Sequence, residues 1–207
     1  MKLYKYKSIE NLWHVLDVVL NHRLYCAHWS ELNDPLEGRY EIYLGQGEAR
    51  MQELMVGRIE AAKNKYRVAS LSADPANFLL WSHYADGHKG VAIEVEIPED
   101  HKDLIAIMYT PFSSVFSHKL QTREDMRHLF NGKGEEWQYE QEFRIVVPRK
   151  YFKLPSKVSR ILLGPRVRHE EEQLLRAVLP PAVQVVSMRL NKTQGTLSVI
   201  ATNGSSL

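Results

Sequence analysis

Two glutamates and an arginine alternate in the segment Glu140-Gln141-Glu142-Phe143-Arg144, which runs into a branched apolar stretch. Because the side chains of a strand alternate between its faces, Glu140, Glu142 and Arg144 are predicted to share one face, with the two glutamates about 7 Å apart. Carboxylates at that spacing can serve one substrate, one as an electrostatic stabiliser and the other as a general base. The competing interpretation is structural: Arg144 forms an ion pair with one glutamate on an exposed strand face.

The composition is that of an ordinary globular protein with a sizeable core. The 207 residues are 44% hydrophobic and 25% charged, and the net charge of +2 is too small to indicate nucleic-acid binding by itself. We expect one domain over residues 1–207, with a loose tail at 202–207. The single cysteine, Cys26, excludes an internal disulfide. No apolar run approaches the roughly 18 residues that cross a bilayer, so we expect a cytoplasmic protein without membrane contact.

Helices and strands are interspersed along the chain, which predicts a mixed α and β fold. Helical periodicity is found after Ser8 up to Arg23, and over 48–65, 77–85 and 169–178. In the first of these helices, the apolar residues at helical spacing are Leu12, Trp13, Leu16, Val19 and Leu20. Strands are predicted at 24–29, 66–72, 89–97, 104–108 and 143–147, with a terminal hairpin of 183–190 and 197–201. A helix-like stretch, 123–130, gives way to Asn131-Gly132-Lys133-Gly134, predicted to be a mobile loop before the glutamate pair.

Five sequence blocks in a fixed order carry a family resemblance. They are Leu3-Tyr4-Lys5-Tyr6-Lys7, Leu32-Asn33-Asp34-Pro35-Leu36-Glu37, Ser70-Leu71-Ser72, Trp81-Ser82-His83-Tyr84-Ala85-Asp86-Gly87-His88-Lys89-Gly90 and Trp137-Gln138-Tyr139-Glu140-Gln141-Glu142-Phe143-Arg144. Together they resemble the bacterial domain of unknown function 2971 family over nearly the whole chain.

The order of the polar residues is also similar, more distantly, to that of mono-ADP-ribosyltransferases. These enzymes have an arginine on an early strand, a Ser-x-Ser on a later strand and a Gln-or-Glu-x-Glu after a mobile loop. The matching positions here are Lys7, Ser70 with Ser72, and Glu140 with Glu142. Lys7 departs from the pattern, because lysine keeps the charge but lacks the fork with which arginine grips a phosphate. The resemblance implies an α+β fold with a mixed, mostly antiparallel, bent or split sheet and flanking helices.

The same resemblance implies roles in cleaving the bond between ribose and nicotinamide of NAD. Glu142 would stabilise the positive charge on the ribose, and Glu140 would orient or deprotonate the acceptor. Ser70 and Ser72 would brace Glu142 or the ribose, and Trp81 or Tyr84 would stack on nicotinamide, although such aromatics more often belong to the core. Further residues that could bind substrate or shape the site are Asn33, Asp34, Glu37, His88, Tyr139 and Arg144. The segment Asn33-Asp34-Pro35 is equally an ordinary turn.

Three functions remain open at this point. The first is an NAD-dependent ADP-ribosyltransferase of the toxin or phage-defence kind, acting on a protein or nucleic acid, with an antitoxin or chaperone as a further partner. The second is a non-catalytic module that binds nucleic acid or protein through a basic segment of Arg149, Lys150, Lys153, Lys157 and Arg160 with Tyr151 and Phe152. The third is a hydrolase that uses Glu140 and Glu142 on a nucleotide or glycosidic substrate. No metal is expected, since His83 and His88 lack the spacing of a helical zinc site.

Overall fold

The computed structural model of the chain describes residues 1–34, 41–43, 49–110, 114–116 and 128–199. The chain divides into two compact units. Unit 1 comprises Met1–Leu24, Leu71–Glu99 and Lys153–Leu207, and unit 2 comprises Tyr25–Ser70 and Asp100–Phe152. The chain passes from one unit to the other inside β2, β5 and β12 and once between β6 and β7, at Glu99 and Asp100.

The helices and strands alternate along the chain as the sequence pattern predicts. The strands are β1 (Lys2–Lys7), β2 (Arg23–Tyr25), β3 (Ala27–His28), β4 (Glu41–Tyr43), β5 (Arg67–Ser72), β6 (Val91–Glu96), β7 (Leu104–Ala106), β8 (Met108–Tyr109), β9 (Ser114–Phe116), β10 (Gly132–Lys133), β11 (Glu142–Val147), β12 (Tyr151–Lys153), β13 (Arg160–Leu163), β14 (Gln184–Asn191) and β15 (Thr196–Val199). The α-helices are α1 (Leu12–Asn21), α2 (Ala49–Lys63), α3 (Phe78–Tyr84) and α4 (His169–Val178), and 3₁₀ helices cover Trp29–Glu31, His128–Phe130 and Glu135–Glu140.

Unit 1 is built on an open sheet in the order β15-β14-β13-β6-β1. The central strand β6 pairs antiparallel with β1, from Lys2↔Glu96 to Lys7↔Val91, and antiparallel with β13 on its other side. Every residue of β6 except the last is buried, which is typical of a strand covered on both faces.

The carboxyl-terminal part of unit 1 is a crossover. Strands β13 and β14 are parallel, from Arg160↔Gln184 to Leu163↔Ser187, and α4 connects them. Beyond Ser187, β14 continues and pairs antiparallel with β15. The second half of β14 therefore extends past the carboxyl end of β13.

Helix α1 buries only part of the apolar stripe that its sequence pattern predicts. Its buried residues are Val15, Val18 and Val19. Trp13 and Leu20, which the sequence pattern assigns to the buried stripe, are 77% and 49% exposed. The helix starts at Leu12 rather than directly after Ser8. The pattern locates the helix, but its many apolar residues leave the choice of face to tertiary packing.

Unit 2 contains the antiparallel pairs β3 with β5 and β7 with β11, and the short parallel pairs β4 with β9 and β8 with β10. Its buried apolar cluster consists of Ile59, Tyr66, Val68, Leu129, Phe130 and Val146. These residues come from α2, the 3₁₀ helix at 128–130, β5, β11 and the loop before β5. The helical elements therefore pack against β5 and against β11, the strand that begins with Glu142.

The expected α+β architecture with a mixed, mostly antiparallel sheet is confirmed, and the sheet is open. The predicted helix at 169–178 coincides with α4, and the predicted terminal hairpin is β14 with β15. The parallel pairing of β13 with β14 was not expected. The predicted tail at 202–207 lies outside the described residues, as does most of the helix-like stretch 123–130. Among the described residues, no helix has both the length and the apolar character that crossing a membrane requires.

Candidate functional site

Four charged side chains of unit 2 are buried together. Lys133, Glu140, Glu142 and Arg144 are 7%, 4%, 4% and 1% exposed. Charged groups are rarely buried to this extent unless they are paired with each other, and here every member contacts another. We call these four residues the charge network.

The two glutamates reach the network from different elements. Glu140 is the last residue of the 3₁₀ helix Glu135–Glu140, and Glu142 is the first residue of β11. Gln141 between them has a left-handed backbone with φ 44°, and its N–H donates to the Gln138 carbonyl, which ends the helix. The prediction that Glu140 lies on the strand face of Glu142 and Arg144 is therefore wrong. A turn, rather than strand alternation, brings the two carboxylates together.

Lys133 joins the two carboxylates. Its Nζ lies 2.6 Å from Glu140 Oε2 and 3.0 Å from Glu142 Oε2. The ammonium also lies 4.7 Å from the centroid of the Trp137 ring, within cation–π range. Lys133 belongs to β10, which pairs with β8, so the middle of the predicted mobile loop at 131–134 forms a strand with the Lys133 side chain buried.

Arg144 grips Glu142 with two nitrogens. Its Nε donates to Glu142 Oε1 at 2.7 Å and its Nη2 to Oε2 at 3.0 Å, while Nη1 donates to the Phe130 carbonyl at 2.9 Å. The two residues lie on the same face of β11 because they are two positions apart. The ion pair of the structural interpretation thus exists, but it is buried rather than on an exposed strand face.

Two further groups hold Glu142 in place. Ser70, in β5, hydrogen-bonds the Glu142 carboxylate, as the bracing role predicted for it requires. The Glu142 backbone N–H donates to the Tyr109 hydroxyl at 2.7 Å. Neither Tyr109 nor Lys133 was singled out from the sequence, because one lies in a short strand without a motif and the other between two glycines that indicate a loop.

The network keeps Glu142 ionised. Burial by itself would raise the pKa of the Glu142 carboxyl, but Arg144, then Lys133 and Ser70, outweigh it and lower that pKa from 4.5 to about 2. Burial likewise would lower the pKa of the Lys133 ammonium, but Glu142 and Glu140 raise it above its ordinary value. At neutral pH, Glu142 is therefore an anion and Lys133 a cation.

Five of the predicted site residues, Lys7, Ser72, Trp81, Tyr84 and His88, belong to unit 1. Lys7, in β1, is half-buried, and burial lowers the pKa of its ammonium. The Ser72 hydroxyl accepts from the Asp74 N–H at 3.1 Å and shapes the turn after β5.

The Trp81 ring is completely buried, packs edge-on against Tyr6 and donates to the Pro75 carbonyl at 2.8 Å. Stacking on nicotinamide would require this ring to leave the core. Tyr84, also in α3, is half-buried.

The remaining predicted site residues lie in unit 2. Asp34 is buried and Asn33 is exposed, at the end of a described stretch, while Glu37 lies outside the described residues. Tyr139 is half-buried, with burial and the nearby Glu140 raising the pKa of its hydroxyl. The interpretation of Asn33-Asp34-Pro35 as a turn or as a site loop stays open.

The basic segment proposed for nucleic-acid binding does not present five exposed cations around two aromatics. Arg160 pairs with Glu94 in unit 1, and Arg149 Nη2 lies 3.8 Å from Asp103 in unit 2. Phe152 is 1% exposed and so offers no stacking surface. Only Lys150, Lys153 and Lys157 of the predicted cations remain without an ion pair among the described residues.

Neither metal ligands nor known relatives constrain the function of the site further. No cluster of three or more His, Cys, Asp or Glu side chains that could hold a metal is found in the described part of the chain. No protein-family model, curated protein or solved structure matches the chain. The two family resemblances therefore stay predictions, and the side chains of the site carry the functional proposal alone.

Proposed function

We propose that the chain is an NAD-dependent ADP-ribosyltransferase-like enzyme that transfers ADP-ribose to a macromolecule, a protein or a nucleic acid, as a toxin or phage-defence effector in the cytoplasm. One observation supports this above all. Ser70 hydrogen-bonds an ionised Glu142 to which a second carboxylate, Glu140, is joined through Lys133. In this proposal the α+β fold is of the ADP-ribosyltransferase type.

The burial of the charge network favours a functional role over a purely structural one. Removing charged groups from water is unfavourable, and apolar residues of similar volume often replace a buried ion pair without loss of stability. A buried carboxylate whose pKa is strongly shifted by specific charge partners is a typical feature of active sites. The network joins two carboxylates to two cationic side chains, and Arg144 and Lys133 keep Glu142 ionised.

The proposed reaction uses the two carboxylates differently. The bond between ribose C1′ and the nicotinamide nitrogen breaks, and its electron pair leaves with nicotinamide. Glu142, held as an anion, stabilises the positive charge that develops on the ribose. The acceptor nucleophile then forms the new bond to C1′ and gives its proton to Glu140, which returns it to solvent.

Substrate contact with Glu142 requires one cation to move. Both Glu142 oxygens contact Arg144, and Oε2 also contacts Lys133. Arg144 is fixed by its bidentate contact and by the Phe130 carbonyl, whereas Lys133 is attached through one flexible ammonium. The proposal therefore includes a step in which Lys133 releases Glu142 and stays with Glu140 while the ribose hydroxyl binds.

The test is turnover of NAD that carries label in its ADP-ribose part. Purified protein is incubated with this NAD and a cell lysate, and we follow free nicotinamide and the label in the protein and nucleic-acid fractions. We expect label transfer by the wild type, and a loss of about 100-fold or more for Glu142→Gln, the range expected for a removed charge-stabilising or acid–base group. Ser70→Ala is expected to be impaired to a smaller extent.

A matched control is Glu135→Gln, which changes an exposed glutamate in the same 3₁₀ helix as Glu140. It should retain wild-type turnover, and a far-ultraviolet circular dichroism spectrum shows whether each variant is folded. Release of nicotinamide with label only in free ADP-ribose would replace the transferase by a hydrolase that uses the same site. Absence of both NAD binding and turnover in folded wild type would refute both.

A further inference from the structure

A groove of about 740 Å³ lies in unit 1 at the carboxyl end of β13. The turn after β13 forms one wall and is fixed by backbone bonds from Gly164 N to Gly90 O at 2.9 Å and from Arg166 N to His88 O at 3.0 Å. The second half of β14, beyond its pairing with β13, forms another wall. Its lining residues are Phe78, His88, Pro165, Arg166, Met188, Arg189, Leu190 and Lys192.

The charged side chains that line the groove are all cationic. Arg166, Arg189 and Lys192 are exposed cations, and the lining contains no carboxylate. Within the described residues, the side chains of Arg189 and Lys192 make no ion pair or hydrogen bond, and Arg166 donates only to the Gly87 carbonyl, at 3.2 Å. Cations that are not neutralised by the protein itself can bind an anion at little cost in lost contacts.

The groove also has an aromatic platform. Phe78, the first residue of α3, is 45% exposed, and its ring lies 4.3 Å from the His88 ring, centroid to centroid. Met188, Leu190 and Pro165 supply further apolar surface. An exposed aromatic ring beside several cations is the combination that binds a base by stacking and its phosphates by charge.

His88 adds an unsatisfied polar atom to the lining. Its Nε2 lies 2.9 Å from Ser82 Oγ, but its buried Nδ1 has no hydrogen-bond partner. Burial and the nearby Arg166 lower the pKa of this imidazole, so it is neutral at pH 7 and can offer Nδ1 as a donor or an acceptor. Such a buried, unpaired atom is unfavourable, and a polar ligand group that reaches it would remove that penalty.

We propose that this groove binds a nucleoside diphosphate, with the base stacked on Phe78 and the phosphates held by Arg166, Arg189 and Lys192. The volume lies within the range of small-ligand pockets, roughly 300–1,000 Å³. The positive charge of the groove comes from side chains. The amino terminus of α4 does not supply it, because Glu170, Glu171 and Glu172 already lie in the first turn of that helix. The inference does not rest on the proposed transferase function, since no residue of the charge network lines the groove.

The experiment measures binding of a fluorescent ADP analogue to the full chain by anisotropy, at low ionic strength. We expect saturable binding that weakens with added salt, since charge interactions carry part of the affinity. Arg189→Met with Lys192→Met, and separately Phe78→Ser, should each weaken binding by about tenfold or more, the range of a lost stacking or phosphate contact. The matched control Lys157→Met removes an exposed cation of unit 1 outside the groove and should bind as the wild type does.

Competition identifies the ligand chemistry. Unlabelled ADP should displace the analogue far better than inorganic pyrophosphate, because pyrophosphate lacks the base. Displacement by pyrophosphate as good as by ADP, or binding unaffected in folded Phe78→Ser, would overturn the proposal, as would binding of a single-stranded oligonucleotide without binding of ADP. Glu142→Gln should bind the analogue normally, so loss of NAD turnover in that variant leaves the groove assignment intact.

Discussion

At the scale of single residues, the charge network pairs two carboxylates with two cationic side chains inside unit 2. Arg144 satisfies both oxygens of Glu142, and Lys133 is shared between Glu142 and Glu140. Because these groups are buried, removing one partner leaves an uncompensated charge, which destabilises a fold far more than the loss of an exposed ion pair. A glutamate-to-glutamine substitution keeps the shape of the side chain, so its effect reports this uncompensated charge rather than a cavity.

The pH dependence of stability should report the ionisation of Glu142. Its folded-state pKa of about 2 lies below the ordinary 4.5, so the ionised group stabilises the fold above the unfolded pKa. That contribution is lost as the pH falls through the folded pKa, over a window of roughly pH 5 to 2, and amounts to about 3 kcal/mol. We expect the free energy of unfolding of the wild type to fall across this window more steeply than that of Glu142→Gln.

Urea denaturation at several pH values within that window measures the two slopes. Glu135→Gln again serves as the control, because its exposed carboxylate should leave the wild-type slope in place. Equal slopes for the wild type and Glu142→Gln would show that the network does not hold Glu142 ionised.

The residue types of the site were predictable from the sequence, but their geometry was not. Glu140, Glu142 and Arg144 are predicted from their alternation and Ser70 from the resemblance to mono-ADP-ribosyltransferases, and the structure brings these four together. Lys133 was not recognised, because flanking glycines are typical of a loop. Only the pairing of β10 with β8 and the burial of the ammonium distinguish it from a solvated lysine, and both are tertiary effects.

At the scale of elements, the turn at Gln141 positions the whole site. The left-handed backbone there, φ 44°, ends the 3₁₀ helix and starts β11 one residue later. A residue with a Cβ in this conformation is strained by roughly 1–2 kcal/mol. Strand periodicity predicts the wrong position for the Glu140 side chain, because the segment contains no glycine that would indicate a turn.

Glycine substitutions at two neighbouring glutamines should have opposite effects. Gln141→Gly relieves backbone strain, so we expect unchanged or slightly higher stability, by up to about 1 kcal/mol. Gln138→Gly, at an exposed position inside the 3₁₀ helix, should instead destabilise the fold by roughly 0.5–1 kcal/mol. Urea denaturation at pH 7 measures both, and a larger loss in Gln141→Gly than in Gln138→Gly would refute the assignment of strain to position 141.

At the scale of the whole molecule, unit 1 has a buried carboxylate network of its own. Glu94 of β6 is 3% exposed and contacts Lys2 Nζ at 3.0 Å, Arg160 Nε at 2.9 Å and the Tyr4 hydroxyl at 3.2 Å. Burial alone would raise the pKa of the Glu94 carboxyl, but hydrogen bonds from Lys2 and Arg160 lower it. These contacts tie β1, β6 and β13 together. Each of the two units thus has a network of its own, and the single domain expected from the sequence stays a prediction.

Each substitution should therefore increase local unfolding in the unit whose network it alters. Each network connects strands of one unit only, so Glu142→Gln is expected to accelerate amide hydrogen exchange first in β10 and β11, and Glu94→Gln first in β6 and β13. Mass spectrometry of peptides from these four strands measures the difference in exchange at pH 7. The temperature is kept below the midpoint of thermal denaturation of either variant. Local opening requires that the amides in the strands of the other unit keep their protection from exchange. Equal acceleration of exchange in all four strands by either substitution would therefore mean that the two units open together.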